Sequence, residues 1–394
     1  MLTKEENDLL TQTGPGTPCG DVMRRYWQPV ALSDELEPDG PPVAVRLLGE
    51  DLVLFRDGKG QLGLLGRWCS HRGADLSYGG IEETGLRCGY HGWLYDIAGN
   101  CLEQPLEPPD SDFHLQIHHR SYPAMERAGL IFGYLGPGDP PLLPSYEFFG
   151  VPDDHRRSTK YFQECNYLQG AEGSVDPVQL IALQRILQGD GFPEDGQDEP
   201  EVDVQPEETS FGVRLVSTWE SAPGEQATEV RSFMLPSLCG IPGVGIDGYV
   251  VQWHVPMDDT HHWRYVIAFR RDGAISDEEA RLNGVERSDD FRVDRGAITR
   301  YLADRQVAEP NSIAWTTMLA ESQGAIMDRS QEHLAGSDRG IMVMRSVVYG
   351  AIQDVQEGMD PLHIVRDESD NHFAEITAHR EAAPAGRAES SRDS

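Results

Sequence analysis

Residues 67–93 read RWCSHRGADLSYGGIEETGLRCGYHGW, and two pairs of residues inside this stretch decide what the first half of the chain must be. Cys69 and His71 are separated by one residue, Cys88 and His91 by two, and sixteen residues lie between the pairs. Two thiolates and two imidazoles, one of each per loop, suit a [2Fe-2S] cluster in which Cys holds one iron and His the other. Thiolate is the natural ligand of iron–sulfur clusters, imidazole also suits iron, and replacing two thiolates by neutral imidazoles raises the cluster potential. A Cys₂His₂ structural zinc site competes, although such sites more often begin with two Cys two to four residues apart. Chance placement of four residues is the remaining alternative. Ser70 and Tyr90 are candidate hydrogen-bond donors to a cluster sulfur, with loop packing as their plainer role.

Outward from this signature the chain divides. Residues 1–40 read as a polar, helical arm. Short strand-like runs cut by Gly and Asp turns follow, until YLGPGDPPLLP (134–144) interrupts them. Residues 41–140 are therefore expected to form a β-rich domain. Residues 141–380 mix elements: interrupted helix over 161–187, strand-like runs in SFGVRLVSTW, GYVVQWHVPM and HHWRYVIAFRR, then helix near RGAITRYLADRQ and WTTMLAESQGAIMDRSQEHL. That order predicts an α+β domain. The Gly/Pro-rich acidic stretch ILQGDGFPEDGQDEPEVDVQPEE (186–208) reads as a mobile surface loop, and 381–394 as a disordered tail.

Composition excludes several functions. With 394 residues the chain has room for two cores, and 39% apolar with 25% charged residues describes a soluble globular protein. A net charge of −33 opposes binding to nucleic acid and to anionic membranes. No apolar run of membrane-spanning length and no signal-peptide h-region are present, so a cytoplasmic location is expected. The six cysteines do not suggest a disulfide framework there. No P-loop, GxSxG elbow or dinucleotide fingerprint stands out.

The strings CSHRGADLSYG and CGYHGWLYDIAGNCLEQP resemble the Rieske domain of ring-hydroxylating and demethylating oxygenase large subunits of the phthalate dioxygenase type. GPGTPCGDVMRRYWQPVAL, HVPMDDTHHW and AESQGAIMDRSQEHLAGSD resemble the same group, in the same order, from near residue 5 to about 365. The resemblance implies a β-rich Rieske domain followed by a larger α+β domain built on an antiparallel sheet. It also implies a trimer or hexamer, supplied with electrons by a ferredoxin or by a flavin/iron–sulfur reductase using NAD(P)H.

In that family the second domain holds a mononuclear Fe(II) through two His and one carboxylate. The local pattern is Asp, two residues, His, four residues, His. Here SVDPVQLIALQ (174–184) supplies Asp176 but puts Gln179 and Gln184 where the histidines belong. The carboxylate position, five residues before ESQG, is Thr316. Neutral Gln, Gln and Thr lack both the imidazole nitrogen and the charge that hold Fe(II), so this chain is expected to lack the ion. Glu172, Cys165, His254, His261 and His262 are the nearby groups from which a relocated site would have to be built. The family's Asp, here Asp176, bridges the cluster of one subunit to the iron of the next. Preceding Pro177, it also suits an N-cap.

Three functions follow as expectations. The first is a cluster-bearing electron carrier serving an active paralogous subunit in a mixed oligomer. The second is an active oxygenase with an atypical metal site, hydroxylating or demethylating a small aromatic or related substrate. The third is a non-enzymatic structural or sensing protein.

Overall fold

The computed structural model describes residues 1–188, 202–222, 224–288, 290–304, 311–371 and 378–384. The chain opens with α1 (Lys4–Thr11), started by a capping box in which Thr3 and Glu6 exchange side-chain-to-backbone hydrogen bonds. Then come α2 (Pro18–Met23) and β1 (Gln28–Leu32). The first helix and the turn after it are also tied to the far half of the chain. Asn7 donates to the Met327 carbonyl at 3.0 Å, and the Thr13 amide donates to Asp259 at 2.8 Å.

Ten short strands follow: β2 (Val43–Leu47), β3 (Glu50–Arg56), β4 (Leu62–Gly66), β5 (Gly80–Glu82), β6 (Gly85–Arg87), β7 (Leu94–Tyr95), β8 (Cys101–Glu103), β9 (Ser121–Tyr122), β10 (Ala124–Arg127) and β11 (Leu130–Gly133). They make three antiparallel sheets, ordered β1-β11-β10, β2-β3-β4-β9 and β5-β6-β7-β8. The last sheet carries the two Cys/His loops. Its small core gathers Val53, Phe55, Leu65, Leu76, Leu86, Trp93 and Tyr95 around Cys69 and Cys88.

The second half adds α3 (Glu147–Gly150), β12 (Arg156–Gln163), α4 (Tyr167–Val175), α5 (Pro177–Gln188), β13 (Asp203–Glu208), β14 (Gly212–Ala222), β15 (Glu225–Met234), β16 (Leu238–Pro242), β17 (Tyr249–Asp258) and β18 (His261–Phe269). It ends with α6 (Asp277–Leu282), α7 (Arg295–Ala303), α8 (Ser312–Ser322), α9 (Arg339–Gln356) and β19 (His379–Pro384). One eight-stranded antiparallel sheet, ordered β12-β18-β17-β16-β15-β14-β13, forms its floor, and β19 pairs with β15. The main core runs through both halves. Leu54, Leu64, Ile131 and Phe132 belong to the same buried cluster as Trp253, Val255 and Tyr265. Backbone bonds from Leu48 to Pro256 and from Gly49 to Met257 lock the halves together.

Five expectations need correction. Residues 28–32, inside the expected helical arm 1–40, are strand β1, because they pair with β11 of the β-rich domain. The helix expected over WTTMLAESQGAIMDRSQEHL ends at Ser322, where the chain turns through Gly324 at φ 90°. Residues 161–163 are strand, not helix, because β12 pairs along its whole length with β18. Of the stretch expected to be a mobile acidic loop, Asp203–Glu208 is strand β13, held by β14; residues 189–201 lie outside the described residues. Residues 381–384, expected in a disordered tail, belong to β19. β16 covers only Ser232–Met234 of β15, so Glu225–Val230 offers an open edge that β19 fills. Residues 385–394 lie outside the described residues.

Candidate functional site

The four cluster residues sit at matching positions in two loops of one design. The Cys69 amide donates to the Ala74 carbonyl, and the Gly73 amide returns a bond to the Cys69 carbonyl, both at 2.8 Å. The Cys88 amide donates likewise to Trp93 at 2.8 Å, and Gly92 returns to Cys88 at 3.0 Å. Each loop turns on a left-handed glycine, Gly73 (φ 70°) and Gly92 (φ 76°), a conformation that disfavours side chains. Both Cys are buried, and the rings of His71 and His91 lie side by side, with centroids 4.6 Å apart. Trp93 stacks on His71 at 4.4 Å, and Tyr90 leans on His91 at 3.8 Å.

This set fits a Rieske [2Fe-2S] cluster. His71 Nδ1 is buried and has no hydrogen-bond partner, a costly state for a ring nitrogen unless it binds a metal. Cys69 and Cys88 would hold one iron and His71 and His91 the other. Among the described residues no three His, Cys, Asp or Glu side chains converge on a single ion. The cluster satisfies that limit, because each of its irons takes only two protein ligands.

Neither sequence-nominated donor bonds a cysteine sulfur. Ser70 Oγ lies 2.7 Å from His119 Nδ1, and His119 Nε2 lies 2.7 Å from the Gly66 carbonyl. A carbonyl only accepts, so Nε2 carries the hydrogen, Nδ1 accepts, and Ser70 spends its proton on His119. Tyr90 is largely exposed. The hydroxyl that reaches a cysteine sulfur is that of Tyr95, 3.2 Å from Cys69 Sγ. Its signal was only an aromatic residue in the short strand after the second loop.

The second candidate centre lies where α4 meets α5. Pro177 has no amide hydrogen to continue α4 and pushes Asp176 into extended geometry (φ −73°, ψ 109°), so the helix breaks there. Asp176 Oδ1 caps the new helix by accepting from the amides of Val178 (2.8 Å) and Gln179 (3.3 Å). Burial raises the Asp176 carboxyl above its ordinary value. Gln179 Oε1 is buried without a hydrogen-bond partner. Gln184 is on the same helix, but its side chain lies outside the described residues. Leu183 packs into the cluster formed by Trp315 and its neighbours, which brings α5 against α8, the helix that carries Thr316.

Thr316 Oγ1 is occupied. It donates to the Ser312 carbonyl at 2.9 Å and accepts from Arg264 Nη1 at 2.9 Å. Arg264 Nη2 donates to Gln252 Oε1 at 2.5 Å. Sequence reasoning missed Arg264. Its one signal was a charged residue inside the otherwise apolar run WRYVIAF.

The nearby groups from which a relocated site would be built are engaged elsewhere or, for Cys165, held as a buried thiol. Glu172 is clamped by Arg329 and Arg345 at 2.7 Å each. His254 and His262 bond each other at 3.0 Å. His261 faces Asp258 at the surface, and burial pushes the Cys165 thiol up to about 12. The donors present do not fit a mononuclear Fe(II).

Beside this centre is a cavity of about 690 Å³. Leu183, Val250, Ile313 and Trp315 line it, together with three guanidinium groups, Arg231, Arg281 and Arg380, and one carboxylate, Glu229. Arg231 bonds Glu229 at 2.5 Å, and Arg380 bonds it at 2.7 Å.

A small β-rich domain with paired Cys/His loops, joined to a larger antiparallel α+β domain, defines a Rieske protein with an oxygenase-type second domain. Comparison with known proteins agrees. Residues 26–123 match the Rieske [2Fe-2S] domain, and residues 194–383 match the LigXa C-terminal domain like family. The chain is 33% identical to the 5,5'-dehydrodivanillate O-demethylase oxygenase subunit of Sphingobium sp., over 98% of this chain and 89% of that protein. It is 34% identical to the phthalate 4,5-dioxygenase oxygenase subunit of Pseudomonas putida, over 91% and 88%. Among solved structures, the reduced oxygenase–ferredoxin complex of carbazole 1,9a-dioxygenase superposes with a TM-score of 0.58 at 19% identity, covering 92% of this chain and 99% of that one. The chain belongs to the Rieske oxygenase family, as an oxygenase-subunit homologue.

Proposed function

We propose that this chain is a cluster-bearing subunit that relays single electrons to the mononuclear iron of an active paralogous subunit and carries no such iron itself. The observation behind this reading is the contrast between its two centres. Cys69, His71, Cys88 and His91 make a full set of cluster ligands on two matching loops, whereas Gln179, Gln184 and Thr316 fall at the positions that the family pattern gives to iron ligands, and this contrast supports the reading. The cluster, when bound, stores one electron at a time. The chain's own residues supply the rest. Trp68, Tyr90 and Phe113 leave an exposed aromatic rim beside the loops, suited to a subunit or ferredoxin surface. Asp176, through the carboxylate oxygen not used in capping, would accept an imidazole N–H from the adjoining subunit's cluster. A ferredoxin or an NAD(P)H-dependent reductase would be the electron source, in a trimer or hexamer. No helix among the described residues is long and apolar enough to cross a membrane.

A second reading is an active oxygenase with its own atypical metal site. The cavity favours it, because a pure electron carrier has no need of one. Its apolar walls, and the one guanidinium left over when Arg231 and Arg380 share Glu229 and Arg281 pairs with Glu278, suit a small aromatic or aliphatic carboxylate.

Iron and acid-labile sulfide counted in freshly purified protein separate the two. The relay subunit gives two irons and two sulfides per chain, and a third iron supports the second reading. Co-expression with a homologue carrying both histidines is the direct test. If the two never co-purify and mixing never changes turnover, the relay function is lost.

A further inference from the structure

We infer that the guanidinium of Arg264 is a resident cation at the carboxylate position of the degenerate iron site, closing the site to divalent metal. The inference rests on the assignment of residues 179, 184 and 316 as the former ligand positions, and it adds a cause for the loss of metal that ligand replacement alone does not supply.

Three observations carry it. Arg264 is buried, and its hydrogen-bond acceptors are both neutral: Thr316 Oγ1 at 2.9 Å and Gln252 Oε1 at 2.5 Å. Among the described residues no carboxylate pairs with it, and its Nε is buried without a partner, so its positive charge is not cancelled locally. One of its two acceptors is the residue at the expected carboxylate position. A ligand-bearing Asp there would meet a guanidinium at hydrogen-bond distance and be consumed as an ion pair.

The same group ties α8, which carries one of the three former ligand positions, to the sheet. Arg264 projects from β18, Thr316 belongs to α8, and Gln252 belongs to β17. One fixed cation thus connects two strands and α8. Burial lowers the Arg264 pKa only to about 10, which leaves it charged at neutral pH. A buried charge of this kind is expensive unless it is well bonded. It also repels any second cation brought into the same low-dielectric space.

The test compares Q179H/Q184H/T316D with the same triple variant carrying R264M as well, both as cluster-loaded protein. Anaerobic titration with Co²⁺, followed by calorimetry and visible absorption, reads affinity without relying on turnover. The R264M form is expected to bind one Co²⁺ per chain at least tenfold more tightly. Equal affinities overturn the inference. So does failure of both to bind while the cluster spectrum is intact, since something other than Arg264 would then be the barrier.

A second measurement needs no metal. T316D is made alone and in the R264M background, and urea unfolding is followed. The substitution is expected to be at least tenfold more costly to the folding equilibrium without Arg264 than with it. Equal cost in the two backgrounds overturns the inference. A third iron in the unmodified chain would instead defeat the assignment of the degenerate site, a separate and distinguishable result.

Discussion

The phenolic oxygen of Tyr95 lies 3.2 Å from Cys69 Sγ, and with a thiolate sulfur bound to iron only the phenol has a proton to give. A hydrogen bond to a cluster sulfur stabilises the reduced, more negative state and raises the potential. A bond worth about 1 kcal/mol corresponds to roughly 40 mV for a one-electron couple. Tyr95→Phe should therefore lower the cluster potential by about 20–60 mV. Redox titration monitored by electron paramagnetic resonance checks this, and an unchanged or higher potential removes Tyr95 from the tuning role.

Glu172 holds together a buried network rather than a metal. Its carboxylate bonds Arg329 and Arg345 at 2.7 Å each, and Arg345 also pairs with buried Glu332. Burial by itself would push the Glu172 carboxyl up, but the two guanidinium charges win and hold it below its ordinary range. The stability this gives is present above the unfolded pKa, near 4.5, and is lost as pH falls below it through the depressed folded value. Glu172→Gln leaves Arg329 without its carboxylate and should cost about 3–5 kcal/mol. Urea denaturation at neutral pH measures it. A loss below about 1 kcal/mol would mean that the network contributes little.

Ligand spacing and loop chemistry were legible in the sequence because they are local. Cys69, His71, Cys88 and His91 lie in one stretch, as do Asp176, Gln179 and Gln184. The overall α+β character was legible for the same reason, through runs such as GYVVQWHVPM. Long-range pairing was not. β19 is a polar stretch whose strand state depends on β15, far earlier in the chain, and β13 is an acidic stretch whose polar composition hides its pairing with the adjacent β14. α9 was missed because RGIMVMRSVVYGAIQDVQ mixes β-branched residues with a helical apolar face. Arg264 and Tyr95 carry meaning only through the partners that the fold brings to them.

Gly170 leaves room for two imidazoles. A Cβ there would come 2.5 Å from His254 Nδ1 and 2.6 Å from His262 Nε2. Gly in a helix interior ordinarily costs stability relative to Ala, so in an uncrowded helix Gly170→Ala would stabilise. Here the overlap should reverse the sign, with a loss of about 1–3 kcal/mol. Thermal unfolding decides it, and a higher melting temperature would mean that the rings move aside freely.

The His254–His262 pair sets a pH dependence whose sign follows from proton bookkeeping. His262 Nδ1 lies 2.8 Å from the Cys165 carbonyl and must donate, so its Nε2 accepts from His254 Nδ1, and His254 Nε2 accepts from Ser174 Oγ. With both rings neutral the chain of bonds is complete in one direction. Burial lowers His262 to about 3 and His254 well below its ordinary value, and Arg264 opposes protonation of both. Each group therefore binds its proton more readily in the unfolded chain. The stability is intact above about pH 6.5 and is lost as pH falls toward the folded values, by up to about 1.4 kcal/mol per pH unit for each ring. His262→Asn removes one titrating group. Between pH 6.0 and 5.0 its unfolding free energy should fall less steeply than that of the parent, by about 1.4 kcal/mol per unit at most. Paired urea curves at the two pH values give the difference, and parallel slopes would show that His262 is already protonated in the fold.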